Sequence, residues 1–295
     1  MLRYLANNHI LTSISPLFFV TLPTIWRSYS VSEEKTNEFV LFFSRLSVTL
    51  SAETITIPMN FLLILAVAIL PSVILLYYIY KTDPFPEPAK QLAKAFCYGI
   101  AIVLPAIVVE GIIQRILFGG EAELTSFLNA ATNAFLVAAL PEEGLKLLAL
   151  WLLLRKNPYF DEHIDGIVYA VFVSLGFATI ENICYLFDDP DSWMGVGITR
   201  ALLAVPGHYA FGVLMGFFYS LYYFVHRSRR NRLLIFLAPF LAHGTYDTIA
   251  MSGALSDEAG VLAFIVLVLF CIRMHKYCNK RIGSHLHRDN KYFGS

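Results

Sequence analysis

The residues of this chain best suited to chemistry are Glu142, Glu143, Lys146, Glu181, His208, His243 and Asp247. They lie in four short clusters: Pro141-Glu-Glu-Gly-Leu-Lys146, Phe177-Ala-Thr-Ile-Glu181, Pro206-Gly-His208 and His243-Gly-Thr-Tyr-Asp247. Carboxylates and imidazoles exchange protons near neutral pH and ligate metal ions. On a helix Glu142 and Lys146 stand at i,i+4, and Glu143 and Lys146 at i,i+3, so both pairs are neighbours on one face. Lys146 can therefore hold one glutamate charged while the other points elsewhere, which lets two adjacent carboxylates take different acid–base roles. His243 and Asp247 also share a face at i,i+4. Each cluster has a purely structural reading beside this one: an ion pair that neutralises a buried charge, a glutamate hydrogen-bonded across a bundle, or a histidine that only fixes packing.

Hydrolysis is one chemistry such a set could do, beside a proton or ion relay. It needs a polarised or deprotonated water and a stabilised oxyanion. In a metal version, His208 and His243 with one or more of Glu142, Glu181 and Asp247 bind Zn²⁺, which lowers the pKa of a bound water. In a metal-free version, a glutamate activates water and a histidine donates to the oxyanion. The chain contains no HExxH, so the zincin signature is absent. The residue types favour the metal version slightly and leave both open.

The elements that must position these groups are set by composition. Of 295 residues, 57% are hydrophobic and only 15% charged, where a soluble domain carries about 25% charged residues. Too little polar surface remains to cover a water-soluble globule. The fold class expected is all-α, a polytopic transmembrane bundle. Spanning helices need roughly 20 apolar residues. Seven strong candidates lie at about 57–80, 92–118, 126–154, 164–187, 196–225, 232–252 and 259–275, with a weaker eighth at 10–26. No A-x-A-like cleavage site follows 10–26, which reads as an extra span, an interfacial segment or an uncleaved anchor. The third and fifth spans are overlong, and Pro141 and Pro206 give each a place to kink. The chain divides into an N-terminal segment 1–56, a membrane domain 57–275 and a basic tail 276–295.

Charge orients the bundle. Lys81/Lys90/Lys94, Arg155/Lys156, Arg227–Arg232 and the tail from Arg273 alternate with loops carrying Glu121/Glu123, Asp188/Asp189/Asp191 and Asp257/Glu258. The positive-inside rule makes the basic loops and C-terminus cytoplasmic. Net charge is zero, which offers no electrostatic case for a nucleic-acid partner; the partner that composition requires is the lipid bilayer. Counted inward, Glu181, His208 and His243 reach a common depth in the middle or outer half of the bilayer. Glu142, Glu143, Lys146, Glu181 and Asp247 all fall inside spans. Left unpaired, five such charges would cost on the order of 12–17 kcal/mol on the insertion scale. They must converge or lose their charge.

Other polar residues are assigned lesser parts. Glu110 could pair with Arg115, Arg200 snorkels toward the outer surface, and Asp165 caps a helix start or partners its dipole. His9, His163, His226, His275, His285 and His287 lie at or beyond span edges and receive no chemistry. The four cysteines read as small buried hydrophobes.

Glu142-Glu143-x-x-Lys146, Phe177-x-x-x-Glu181 and His243-x-x-x-Asp247 resemble the EExxK, FxxxE and HxxxD motifs of the PrsW intramembrane proteases, distant relatives of the CAAX-prenyl and bacteriocin-processing proteases. The linker Asp83-Pro-Phe-Pro-Glu-Pro88 and the Gly207-His208 step also fit, and the likeness covers roughly residues 57–275. It implies a membrane-embedded peptidase of the bacterial plasma membrane acting on a substrate such as a membrane-bound anti-sigma factor. It further implies that Glu142 is the general base, that Glu143 and Lys146 tune it, and that His243 and Asp247 polarise the scissile carbonyl or bind a metal. Glu181 stands where the CAAX-protease relatives carry a histidine. A proton- or ion-coupled carrier and a scaffold with a polar core are the rival readings; against a carrier, the sequence shows no inverted repeat.

Overall fold

The computed structural model describes residues 59–119, 125–188 and 192–293. Segment 1–56, with the candidate span 10–26, lies outside the described residues, as do Glu121, Glu123, Asp189 and Asp191. Among the described residues there are helices and short connections and no strand. The helices are α1 (Met59–Thr82), α2 (Ala89–Ala101), α3 (Val103–Phe118), α4 (Phe127–Thr132), α5 (Leu140–Leu154), α6 (His163–Asp188), α7 (Trp193–Thr199), α8 (Val205–Ser220), α9 (Arg229–Ser252) and α10 (Asp257–Phe293).

Among the described residues, six helical runs are long and apolar enough to cross a membrane: Phe61–Thr82, Ala89–Phe118, His163–Asp188, Trp193–Val225, Arg229–Leu255 and Glu258–Lys291. The expected span at 126–154 is also helical almost throughout, as α4, a π-helical stretch Asn133–Ala139 and α5. It carries the charged triad Glu142, Glu143 and Lys146.

α6 and α8 form the centre of the bundle, and the other spans surround them with large apolar side chains such as Leu70, Ile74, Ile116 and Val261 turned outward. Lipid is as apolar as leucine, so close backbone approach through small residues supplies much of the packing between membrane helices. The α6–α8 seam shows this. A Cβ on Gly216 would collide with the backbone of Gly166 and Ile167. On the opposite side Gly99 of α2 and Gly176 of α6 meet the partner backbone just as closely.

Pro141 and Pro206, the places expected to kink, lie in continuous helical runs. Each follows a π-helical stretch, Asn133–Ala139 and Arg200–Ala204. Proline has no N–H, and its ring crowds the carbonyl four residues back. Widening the preceding turn accommodates this: Leu140 N–H donates to Phe135 O and Val205 N–H to Arg200 O, both five residues back. Such π-turns often accompany functional positions, and here each one re-phases the helix just ahead of Glu142 and His208.

At the end of the bundle carrying the basic loops, Asp83 Oδ1 accepts from Phe85 N–H in the proline-rich α1–α2 linker. Burial, reinforced by the Asp83 carboxylate, pushes the nearby Glu87 carboxyl up to about 7 against the pull of a Tyr169 hydrogen bond. Asp165 lies in the first turn of α6, where a dipole partner is expected, while the cap on its N–H groups comes from another residue. Asp289 of α10 accepts from the backbone N–H of His163 and Ile164, at 2.9 and 3.0 Å. Asp165 instead ties down the preceding loop, its Oδ2 accepting from Asp161 and Glu162 N–H. Residues 276–293, read from sequence as a basic tail, are the last turns of α10 and pack on the bundle: His285 is buried, with Nε2 3.1 Å from Phe217 O. Cys184, Cys271 and Cys278 are buried as expected, while Cys97 is exposed.

Candidate active site

Four helices bring the seven singled-out residues into one group, Glu142, Glu143, Lys146, His208 and His243 buried and Glu181 and Asp247 half-buried. α5 supplies Glu142, Glu143 and Lys146, α6 Glu181, α8 His208, and α9 His243 and Asp247. Lys146 is at its centre. Its Nζ donates to Glu142 Oε2 at 3.0 Å and to Glu143 Oε1 at 2.8 Å, and lies 3.2 Å from His208 Nδ1. The Phe177 ring lies 4.3 Å from the same ammonium. This explains the spacing of Phe177 and Glu181 on α6: one turn of helix presents an aromatic face to Lys146 and a carboxylate to His208.

His243 is held on both sides by carboxylates. Its Nδ1 lies 2.9 Å from Glu143 Oε1 and 3.9 Å from Glu142 Oε2, and its Nε2 lies 3.1 Å from Asp247 Oδ2. Phe211 stacks on the imidazole at 4.7 Å and meets His208 edge-on at 5.7 Å. The two histidine rings are 5.4 Å apart.

A second charge group adjoins this one. Glu181 Oε2 is 2.7 Å from His208 Nε2 and 3.0 Å from an Arg200 Nη. Arg200 also donates from Nε to Asn182 Oδ1 at 2.7 Å and lies over the Tyr185 ring at 4.0 Å. Arg200 therefore turns inward, contrary to the snorkelling expected from its place near a span end. A guanidinium next to a buried carboxylate is more stable there than beside lipid. Its position within the π-helical Arg200–Ala204 turn could have been a signal only if the turn were legible.

These groups face a cavity of about 270 Å³, on whose wall lie Glu110, Glu142, Glu181, Arg200, His208, His243 and Asp247. Glu110 had been read only as a partner for Arg115; its carboxyl lies within electrostatic reach of Glu142 and Glu181. Glu143 is fully buried behind the wall. The two adjacent glutamates thus have different situations: Glu142 opens on the cavity, while Glu143 holds Lys146 and His243 from behind.

Among the described residues, ligand atoms of Glu142, Glu143 and His243 lie within 4.8 Å of one another, close enough to share one ion. Glu143 Oε2 is buried without a hydrogen-bond partner. Two carboxylates and an imidazole, one oxygen of them uncommitted, suit a divalent metal. Glu143 belongs to this donor group although the sequence reading left it out of the ligands. Glu181, His208 and Asp247 lie outside it, since His208 is engaged through both ring nitrogens and Asp247 backs His243.

Residues 87–273 match the family described as PrsW family intramembrane metalloprotease. The chain is 34% identical over 232 residues to Protease PrsW of Clostridioides difficile (strain 630), an alignment that covers 77% of this chain and 92% of that protein. It is 36% identical over 191 residues to Protease PrsW of Geobacillus kaustophilus (strain HTA426), covering 64% and 80%. Over 193 residues it is 36% identical to Protease PrsW of Bacillus subtilis (strain 168), covering 63% and 82%. No solved structure matches. The carrier and scaffold readings give way to a protease, with buried glutamate and histidine groups that fit a catalytic site. This integral membrane chain belongs to the PrsW family of intramembrane metalloproteases.

Proposed function

We propose that this chain hydrolyses a peptide bond in or near the transmembrane segment of a membrane-anchored protein, with Zn²⁺ as its metal. Glu142, Glu143 and His243 would hold the ion. When bound, it supplies Lewis acidity toward the scissile carbonyl and makes a bound water more acidic. The observation that carries the reading is the opening of Glu142 on a cavity shared with His243, His208 and Arg200. Glu142 Oε1 is not the oxygen engaged by Lys146, so it is the atom placed to take a proton from water. Lys146 keeps both α5 glutamates oriented. Asp247 fixes the His243 ring by accepting at Nε2, which leaves Nδ1 directed at the carboxylates. Arg200 supplies a positive, donating group on the wall where an oxyanion would form, and His208 holds Glu181 beside it. The basic loops face the cytoplasm by the positive-inside rule, and a bacterial plasma membrane and an anti-sigma-factor-like substrate fit the resemblance.

The test is cleavage of a single-pass membrane protein by the purified chain in liposomes. Wild type should cleave. Glu142→Gln and His243→Ala should not. Stripping the metal should stop cleavage, and Zn²⁺ should restore it. Undiminished cleavage by Glu142→Gln would remove Glu142 as the base, and activity that survives complete metal removal would eliminate the zinc chemistry.

A further inference from the structure

A second constellation of acids lies far from the protease site. Asp165, at the start of α6, is 16 residues from Glu181 on the same helix, roughly 24 Å along its axis. Here the linker between α1 and α2 meets the loop between α5 and α6. Ligand atoms of Glu87, Asp161 and Asp165 lie within 4.8 Å of one another.

The group is built. Asp165 is 1% exposed. Its Oδ2 is fixed by two backbone N–H groups, at 3.0 Å from Asp161 and 2.6 Å from Glu162. Its Oδ1 is buried and receives no N–H or hydroxyl donor, and the Glu87 carboxyl lies within hydrogen-bond reach of the Asp165 carboxyl. Glu87 is held by the Tyr169 hydroxyl, which donates to Oε2 at 2.7 Å. Asp83 Oδ2 and Glu162 Oε2, close by, are also buried and unpartnered. The charges acting most strongly on Glu162 are Asp83, Asp289, Asp161 and Glu87, every one acidic. Buried carboxylates that lack a counter-charge are costly, and a cation removes that cost. Asp161 is exposed, which leaves a path for an ion and its waters.

We propose that Glu87, Asp161 and Asp165 bind one hard divalent cation, Mg²⁺ or Ca²⁺, that clamps the α1–α2 linker to the start of α6. All three ligands are oxygen, the preference of these ions. The intramembrane group includes an imidazole and selects differently. The clamp fastens the helix that carries Glu181 at its far end, so the ion stabilises the frame of the protease without entering its chemistry.

The experiment is calorimetric titration of the metal-stripped full chain, in phosphatidylcholine nanodiscs, with MgCl₂ and CaCl₂ separately. One equivalent of at least one ion should bind and raise the melting temperature. Asp161→Asn, a change at an exposed side chain, should weaken binding at least tenfold, and Glu87→Gln should do the same. His243→Ala should leave it intact, which separates this site from the protease centre. The proposal is overturned if neither ion binds at concentrations up to about 10 mM, well above the weakest natural calcium sites. It is equally overturned if Asp161→Asn binds like wild type, or if His243→Ala abolishes binding.

Discussion

Lys146 Nζ lies 3.2 Å from His208 Nδ1, joining α5 to α8 across 62 residues of sequence. An ammonium can only donate, so His208 accepts at Nδ1 and carries its proton on Nε2, facing Glu181 at 2.7 Å. Through this contact the Glu142–Glu143–His243–Asp247 group and the Glu181–Arg200 group become one network. Lys146 is the residue on which both depend.

Lys146→Met should therefore be the most damaging single change. It leaves two buried carboxylates without their ammonium, a loss of about 3–5 kcal/mol for breaking a buried pair from one side. Thermal unfolding in detergent should show a large fall in melting temperature, with no cleavage. Adding Glu143→Gln to Lys146→Met should recover part of the stability and none of the activity.

The two neighbouring glutamates should separate in their effects. Glu142→Gln should lower cleavage by roughly 10²–10⁴-fold, the usual worth of a general base, with a small change in melting temperature. Glu143→Gln should lower both, because Glu143 anchors Lys146 and His243. Parallel rate and unfolding measurements on the two variants check this.

Asp247 touches His243 at Nε2, away from the shared ligand positions. Asp247→Asn should weaken metal retention by about 10–100-fold, the usual effect of removing a carboxylate behind a metal-bound histidine. Metal content after dialysis is the readout, and added metal should restore much of the activity. Unchanged metal content would mean that Asp247 does not orient the ligand.

The α6–α8 seam should tolerate no side chain at Gly216. Gly216→Val forces a Cβ into the Gly166 backbone and should destabilise by at least ~1–3 kcal/mol, the ordinary range for overpacking. Gly144, where an added Cβ meets nothing within 4 Å, serves as the comparison: Gly144→Ala should leave the melting temperature nearly unchanged.

The sequence by itself determined the solvent, most of the spans and the chemical inventory. Hydropathy is a property of consecutive residues, so α1, α6, α9 and the run Trp193–Val225 that contains α8 were legible within a few positions. The pairings of Glu142 and Glu143 with Lys146, and of His243 with Asp247, follow from helical spacing alone. Tertiary structure decided the rest. Which of Glu142 and Glu143 faces the cavity depends on how α5 is rotated, and that rotation is set by a π-turn whose five-residue hydrogen bond leaves no mark in composition. Arg200 sits near a span end, where depth alone points it to water; only the presence of Glu181 on the adjacent helix turns it inward. Asp289 caps α6 from 126 residues away, and Glu110 borders the cavity because α3 packs beside α5. In a bilayer an apolar face can meet lipid or another helix with similar comfort. The pattern of apolar residues therefore fixes that a helix spans, while the choice of neighbour, and with it the assembly of the site, comes from small-residue contacts and buried charges meeting in three dimensions.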